Sequence, residues 1–192
     1  MHGLLLAGGA SRRMRRDKAG LAYAGEPQLL RAWQVLTAIT DRAFVSVAAS
    51  QADDPLRARF PCIVDADEAA GPMAGILSAQ GEYPGVAWLV IACDLPRLDV
   101  ATLAGLQAMR DASKDVTAYL GVRDGLPEPL CAVWEPSSHD ALKWCCVLGD
   151  YSLRRALMQM DVQALPAPGK ALENVNTPEE FERMRDQLEA RQ

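Results

Sequence analysis

Apolar residues along the chain follow two spacings that take turns. Continuous apolar runs stopped by turn or acidic residues read as strands covered on both faces. These are Gly3 to Ala7, ending at Gly8-Gly9; Phe44 to Ala48; Cys62-Ile63-Val64, running into Asp65; and Val86 to Cys93, which stops at Asp94-Leu95-Pro96. Between them the apolar positions fall at near-helical spacing, as with Leu29, Leu30, Trp33, Leu36 and Ala38 inside Gln28 to Ile39. The same pattern predicts a short strand at Leu21 to Tyr23 and a helix that continues through Leu77 to Gly81 behind Gly71-Pro72. It predicts a helix over Val100 to Arg110 after Asp99, and strands at Val116 to Leu120 and Leu130 to Trp134. Two more helices, His139 to Leu148 and Ser152 to Met160, are separated by Gly149-Asp150, and Val162 to Leu165 makes a last strand. Asp53-Asp54-Pro55 predicts a helix start, and Thr177-Pro178-Glu179-Glu180 carries the signature of a capped helix running to about Glu189. Regular alternation of this kind predicts an α/β fold: three layers, α/β/α, Rossmann-like, with a mainly parallel sheet in a single domain over residues 1–192. In such folds ligands lie beyond the carboxyl ends of the strands.

Composition narrows the classes of function. With 192 residues, 49% of them hydrophobic, the chain can bury one sizeable core. A net charge of -5 argues against a protein that coats nucleic acid, whose phosphates call for a basic surface. Five cysteines, Cys62, Cys93, Cys131, Cys145 and Cys146, are odd in number and lack CxxC spacing, so they read as reduced packing residues rather than a disulfide framework or a zinc site. No charged leader precedes the first strand, and the run Val86 to Cys93 is far shorter than the ~20 residues that span a bilayer. The expectation is a cytoplasmic protein without membrane or nucleic-acid partners, a monomer or weak oligomer.

Against the acidic balance, the five basic residues among Arg12, Arg13, Arg15, Arg16 and Lys18 stand out because they follow a strand and a Gly-Gly pair. Glycines let backbone N–H groups approach an anion, and the cations neutralise it, which is the chemistry of holding a polyphosphate. Asp94 stands at the carboxyl end of the strongest strand. A polyphosphate cradle together with a carboxylate implies Mg²⁺, which takes oxygen ligands from one or two carboxylates, phosphates and water. The loop has neither the GxxxxGK[ST] spacing nor a GxGxxG fingerprint, so kinase and dehydrogenase loops are disfavoured.

Leu6-Ala7-Gly8-Gly9-Ala10-Ser11-Arg12-Arg13-Met14, continued by Asp17-Lys18, resembles the LAGGxSxRMGxDK signature of nucleotidyltransferases. Gly71-Pro72-Met73-Ala74-Gly75, Cys93-Asp94-Leu95-Pro96 and Asn174-Val175-Asn176-Thr177-Pro178 follow in the order found in the molybdenum cofactor guanylyltransferase family, so the likeness spans nearly the whole chain. The resemblance implies transfer of GMP from GTP to molybdopterin with release of pyrophosphate, dependent on Mg²⁺, and contact with molybdoenzymes or their chaperones. It implies catalytic roles for Lys18, Asp94 and Arg13. Nucleotide binding falls to Leu6, Ala7, Gly8, Gly9, Ser11, Lys18, Asp65, Gly71, Pro72 and Asp94, and metal binding to Asp94 and Asn176, with Asn174 as a further candidate. Pro129-Leu130 and Arg154-Arg155 resemble the stretches that receive the pterin.

Two positions depart from the family pattern. Arg15 stands where the signature has Gly, and Ala48 falls where an Asn contacts the nucleotide. Ala48 keeps open a sister enzyme with another base or acceptor, such as a CTP-dependent cytidylyltransferase. Arg15 keeps open a non-catalytic binding or delivery protein.

Overall fold

The computed structural model describes residues 1–8, 17–66 and 71–190. Seven strands form one sheet: β1 (His2–Leu6), β4 (Arg42–Val47), β5 (Cys62–Val64), β6 (Trp88–Ala92), β7 (Val116–Leu120), β8 (Pro127–Trp134) and β9 (Val162–Leu165). A separate two-residue pair, β2 (Ala22–Tyr23) and β3 (Glu26–Pro27), makes a small antiparallel hairpin. The helices are α1 (Gln28–Thr37), α2 (Pro72–Glu82), α3 (Val100–Ala108), α4 (Ser138–Val147), α5 (Leu153–Leu157) and α6 (Pro178–Glu189).

The sheet order is β5-β4-β1-β6-β8-β7-β9. Only β8 runs against the others: it pairs antiparallel with β6 and β7, while β1–β4, β1–β6, β4–β5 and β7–β9 are parallel. The mainly parallel α/β sheet expected from the alternation is thus present, and its central strands are apolar throughout because helices cover both faces. All five residues of β6 are buried.

Successive side chains of a strand point to opposite faces, so each strand feeds two cores. On one face Leu5, Val45, Leu89, Ile91 and Val133 pack with Leu29 and Leu36 of α1 and with Leu103 and Leu106 of α3. On the other, Leu4, Phe44, Trp88, Val90 and Trp134 meet Met73 and Ile76 of α2, Leu142 of α4 and Leu153 of α5. A third cluster joins Leu21 and Tyr23 to Val175 and to Met184 of α6. Cys93, Cys131 and Cys145 are buried among these residues, in keeping with packing roles.

Three elements differ most from the expectation. Asp53-Asp54-Pro55 starts no α-helix; short 3-10 turns at Ala49–Gln51 and Arg57–Arg59 stand there instead. That segment has no apolar stripe to lay on the sheet. Its Asp54 carboxylate is spent accepting the backbone N–H groups of Leu56 and Arg57. α2, by contrast, begins at Pro72 as the Gly-Pro pair predicts, after Gly71 at φ 56°, a left-handed value that glycine alone adopts without strain. α5 is shorter than Ser152 to Met160 at both ends: Ser152 is its N-cap, accepting from Arg155 N, and past Leu157 the bonds tighten, Gln159 N donating to the Ala156 carbonyl and Met160 N to the Leu157 carbonyl. β8 starts earlier, at Pro127, since pairing with β7 holds residues whose own propensity is weak.

Candidate active site

Because β1, β4, β5 and β6 are parallel, their carboxyl ends open on one edge of the sheet, and the chain leaves each of them through a residue singled out above. Ala7 and Gly8 follow β1, Ala48 follows β4, Asp65 follows β5 and Asp94 lies just beyond β6. Ala7 is held to β4 by its N–H, which donates to the Ser46 carbonyl at 3.2 Å. A Cβ on Gly8 would lie 3.1 Å from Ala48 N and 3.3 Å from Asp65 Oδ2, so glycine is what lets β1 exit beside that carboxylate. Asp65 in turn is steadied by its N–H to the Val47 carbonyl at 2.9 Å and by the buried Ser46 hydroxyl, which donates to Oδ1 at 2.7 Å. Leu6 is partly buried against the core on the α2 face.

The chemical centre is a three-residue contact. Lys18 Nζ donates to Asp94 Oδ2 at 2.8 Å and to Asn176 Oδ1 at 2.7 Å. Residues from the loop after β1, the end of β6 and the segment before α6 thereby meet at one point, although up to 158 positions separate them in sequence. The lysine and aspartate side chains are 22% and 19% exposed, low enough to strengthen their attraction and open enough for a ligand to reach them.

Each arm has a local cause. Lys18 opens a 3-10 turn, Lys18–Gly20, capped by the Asp17 carboxylate accepting Ala19 N at 3.1 Å. The Asn174–Asn176 segment is fixed to the strand end where Val175 N donates to the Asp94 carbonyl at 3.0 Å, and the buried Val175 side chain anchors it below. A capping box then starts α6: Thr177 accepts from Glu180 N, and the Glu180 carboxylate accepts the N–H groups of Asn176 and Thr177. Tyr23 lies fully buried beneath the centre; burial, then the nearby Cys93 and Asp94, push its hydroxyl pKa up. Burial pushes the neighbouring Cys93 thiol up to about 12, with the charge of Asp94 adding to it, so that thiol is not a nucleophile at neutral pH.

Asn174 lines a cleft of about 440 Å³ with Gly121 to Asp124, Glu128, Arg154, Lys170 and Glu173. Arg154 is held there by Asp124 and by Glu128 Oε2 at 3.0 Å. Burial raises the Glu128 pKa, since a carboxylate loses hydration there. The two arginines read as a pair in sequence have separate fates: Arg155 is exposed and bound to Asp150 at 2.6 Å, and it is not among the cleft residues. Pro129 and Leu130 are strand residues of β8; the Pro129 carbonyl accepts Trp134 Nε1, and Leu130 N donates to Glu128 Oε1 at 3.2 Å.

Gly71 and Pro72 serve the start of α2. Gly75 of the same motif serves packing, for a Cβ there would stand 2.3 Å from the Ser46 hydroxyl and 2.7 Å from Leu6. Gly9, Ser11, Arg13 and Arg15 lie outside the described residues.

A family model for the MobA-like NTP transferase domain matches residues 3–164. The chain belongs to the MobA-like NTP transferase family. The matched residues take in the strand ends that carry Gly8, Asp65 and Asp94 and stop before Asn176, which the fold brings to Lys18 beside Asp94. Among relatives of this transferase, a molybdenum cofactor biosynthesis bifunctional protein of Synechocystis sp. is 34% identical over 182 residues, covering 94% of this chain and 52% of that protein. The chain therefore spans about half that relative's length. A molybdenum cofactor guanylyltransferase of Pseudomonas putida is 31% identical over 185 residues, with 93% of this chain and 94% of that protein covered. The fold matches a solved structure of molybdopterin-guanine dinucleotide biosynthesis protein A from Archaeoglobus fulgidus with a TM-score of 0.84 at 21% identity, over 99% of this chain and 100% of that one. Among the described residues no helix is long and apolar enough to cross a membrane.

Sequence reasoning passed over Arg57, Ser46 and Glu128. No motif marks them: Arg57 stands in a polar segment that reads as surface, and Ser46 interrupts an apolar strand as any small residue does. Only the burial of their polar groups beside motif residues exposes them.

Proposed function

We propose that this chain is a Mg²⁺-dependent guanylyltransferase that transfers GMP from GTP to the terminal phosphate of molybdopterin, yielding molybdopterin guanine dinucleotide and pyrophosphate. The observation that carries the reading is the convergence of Lys18, Asp94 and Asn176 at the strand ends of a MobA-like NTP transferase fold. The name of the Pseudomonas relative, which is matched along nearly its full length, supports the choice of substrates.

The residues fit the ion. Asp94 offers a carboxylate oxygen and Asn176 an amide oxygen, both already turned toward the cationic nitrogen of Lys18. Among the described residues no group of three or more His, Cys, Asp and Glu gathers as a metal site, so further oxygens would come from substrate phosphates and water, which is the usual manner for Mg²⁺. Bound there, Mg²⁺ would supply charge neutralisation for the phosphates.

Asp65 lies three strands from Asp94 in the sheet order, about 14 Å at the usual strand spacing, which gives a nucleoside triphosphate room to lie along the edge with its base toward Asp65. Lys18 would hold the phosphates at the other end, oriented by Asp94 and Asn176. The cleft beside Asn174 would receive the acceptor, with Arg123, Arg154 and Lys170 drawing its phosphate. A terminal phosphate oxygen of the acceptor attacks the α-phosphorus of GTP, and the bond from that phosphorus to the α–β bridging oxygen breaks. The electron pair leaves with pyrophosphate. The attacking oxygen is already ionised, so the chain supplies orientation and positive charge rather than a general base.

Pyrophosphate release from GTP with purified molybdopterin and Mg²⁺ tests this reading. CTP in place of GTP tests the base, because Ala48 brings only a methyl group to the strand end beside Gly8. Release with CTP and not GTP overturns the base assignment. Release with neither, while nucleotide still binds, favours a delivery protein.

A further inference from the structure

The two ends of the segment between Ala7 and Asp17 are joined by one buried side chain. Arg57, 1% exposed, directs Nε at the Ala7 carbonyl at 3.2 Å. Its Nη2 donates to the same carbonyl and to Asp17 Oδ1, each at 2.8 Å, and its Nη1 donates to Asp17 Oδ2 at 2.7 Å and to Asp54 Oδ1 at 3.2 Å. A guanidinium has five N–H donors, and these five bonds use them all. Burial alone would lower the pKa of Arg57, but the carboxylates of Asp17 and Asp54 more than offset it, so the group is held charged.

Three features set this cluster apart from an ordinary buried ion pair. The Asp17 contact is a two-pronged fork, which fixes direction as well as distance. The same Asp17 Oδ1 caps the turn from which Lys18 extends to Asp94 and Asn176. Arg57 is itself aimed from behind, because Asp54 Oδ1 accepts the N–H groups of Leu56 at 3.1 Å and Arg57 at 3.0 Å. One guanidinium thus ties the carboxyl end of β1 to Asp17, and it sets the root of the lysine at the centre.

We propose that Arg57 is a positioning residue for the triphosphate: by clamping the Ala7 carbonyl to Asp17 it fixes the turn from which Lys18 is aimed at Asp94 and Asn176. Holding a binding lysine in place before the ligand arrives removes part of the ordering cost that the ligand would otherwise meet. The effect therefore belongs to nucleotide affinity and not to the acceptor. This rests on the nucleotidyl-transfer reading above.

The test compares wild type, Arg57→Lys and Asp17→Asn, each held well below its melting temperature. Lysine keeps the charge but cannot reach two carboxylates and a carbonyl at once. Asparagine keeps the shape and loses the charge. Calorimetric titration with GTP and with inorganic tripolyphosphate, both with Mg²⁺, should show affinity weakened about tenfold or more in both variants, with the double variant no weaker than the worse single one. KM for molybdopterin should stay within about twofold. A lower melting temperature with nucleotide and tripolyphosphate affinity within about twofold of wild type would mean that the clamp is merely structural, and would overturn the proposal. Should Arg57→Lys not fold, Asp17→Asn decides, since the Asp17 side chain is 44% exposed. If the wild type binds neither ligand, the nucleotidyl-transfer reading itself fails and this inference falls with it.

Discussion

Asp94→Asn separates catalysis from stability because it removes a charge while keeping the shape. The Asp94 carboxylate accepts the Lys18 ammonium at 2.8 Å with about one fifth of each side chain exposed. An asparagine oxygen in the same place still accepts that hydrogen bond, and the backbone bond from Val175 N to the residue 94 carbonyl is untouched. The stability lost is the difference between an ionic and a neutral acceptor, about 1 kcal/mol. For a chain of this size that lowers the melting temperature by about 2–4 °C. The reacting phosphates lose much more, since the carboxylate that would hold Mg²⁺ against them and that orients Lys18 is gone: about 10²–10³ in turnover, or roughly 3–4 kcal/mol. A continuous pyrophosphate-release assay with GTP, molybdopterin and Mg²⁺, run beside a thermal melt, reads both numbers. Turnover within about tenfold of wild type would refute the role of Asp94. A melting temperature so low that unfolded protein accounts for the missing activity would refute the separation.

Four other outcomes are expected. Gly75→Ala places a methyl group 2.3 Å from the Ser46 hydroxyl and should cost about 1–3 kcal/mol in urea unfolding. Gly81→Ala in the same helix meets nothing within 4 Å and should stabilise by about 0.5–1 kcal/mol. Hydrogen bonds from Arg155 hold the Asp150 carboxyl down to about 2 from its ordinary 3.8. Its contribution is therefore complete above about pH 4 and lost as pH falls toward 2, so Asp150→Asn should flatten the melting-temperature curve in that window. With a thiol reagent at about pH 8, Cys62 and Cys146, which are partly exposed, should react first, and the buried Cys93, Cys131 and Cys145 only on unfolding. Rapid titration of all five in native protein would contradict the burial.

Much of the architecture was legible because strand burial and helix amphipathicity leave periodic marks. Val116 to Leu120 and Val162 to Leu165 match their strands residue for residue, and the Thr177 capping box forms as its spacing required. Terminal residues drifted where propensity is weak and partners decide, as at Pro127. The turn after Asp54 was misread because an aspartate before proline signals a helix start and a tight turn equally. The reversed direction of β8 left no mark at all, since an apolar run is the same in either direction.

At the site, residue type alone singled out a glycine turn with its basic run and the aspartate that ends the strongest strand, because those groups sit where strands end, and the family resemblance added the two asparagines. What only the tertiary structure decided is which of them touch. Lys18 sits between Asp94 and Asn176, while Asn174 turns to the cleft and Arg155 to Asp150. Arg57 ties Ala7 to Asp17 from a segment that carries no signature. A sequence records the local periodicities that build elements. The meeting of side chains 40 or 158 positions apart depends on strand order and on where buried charges find partners, and those are settled only when the sheet is assembled.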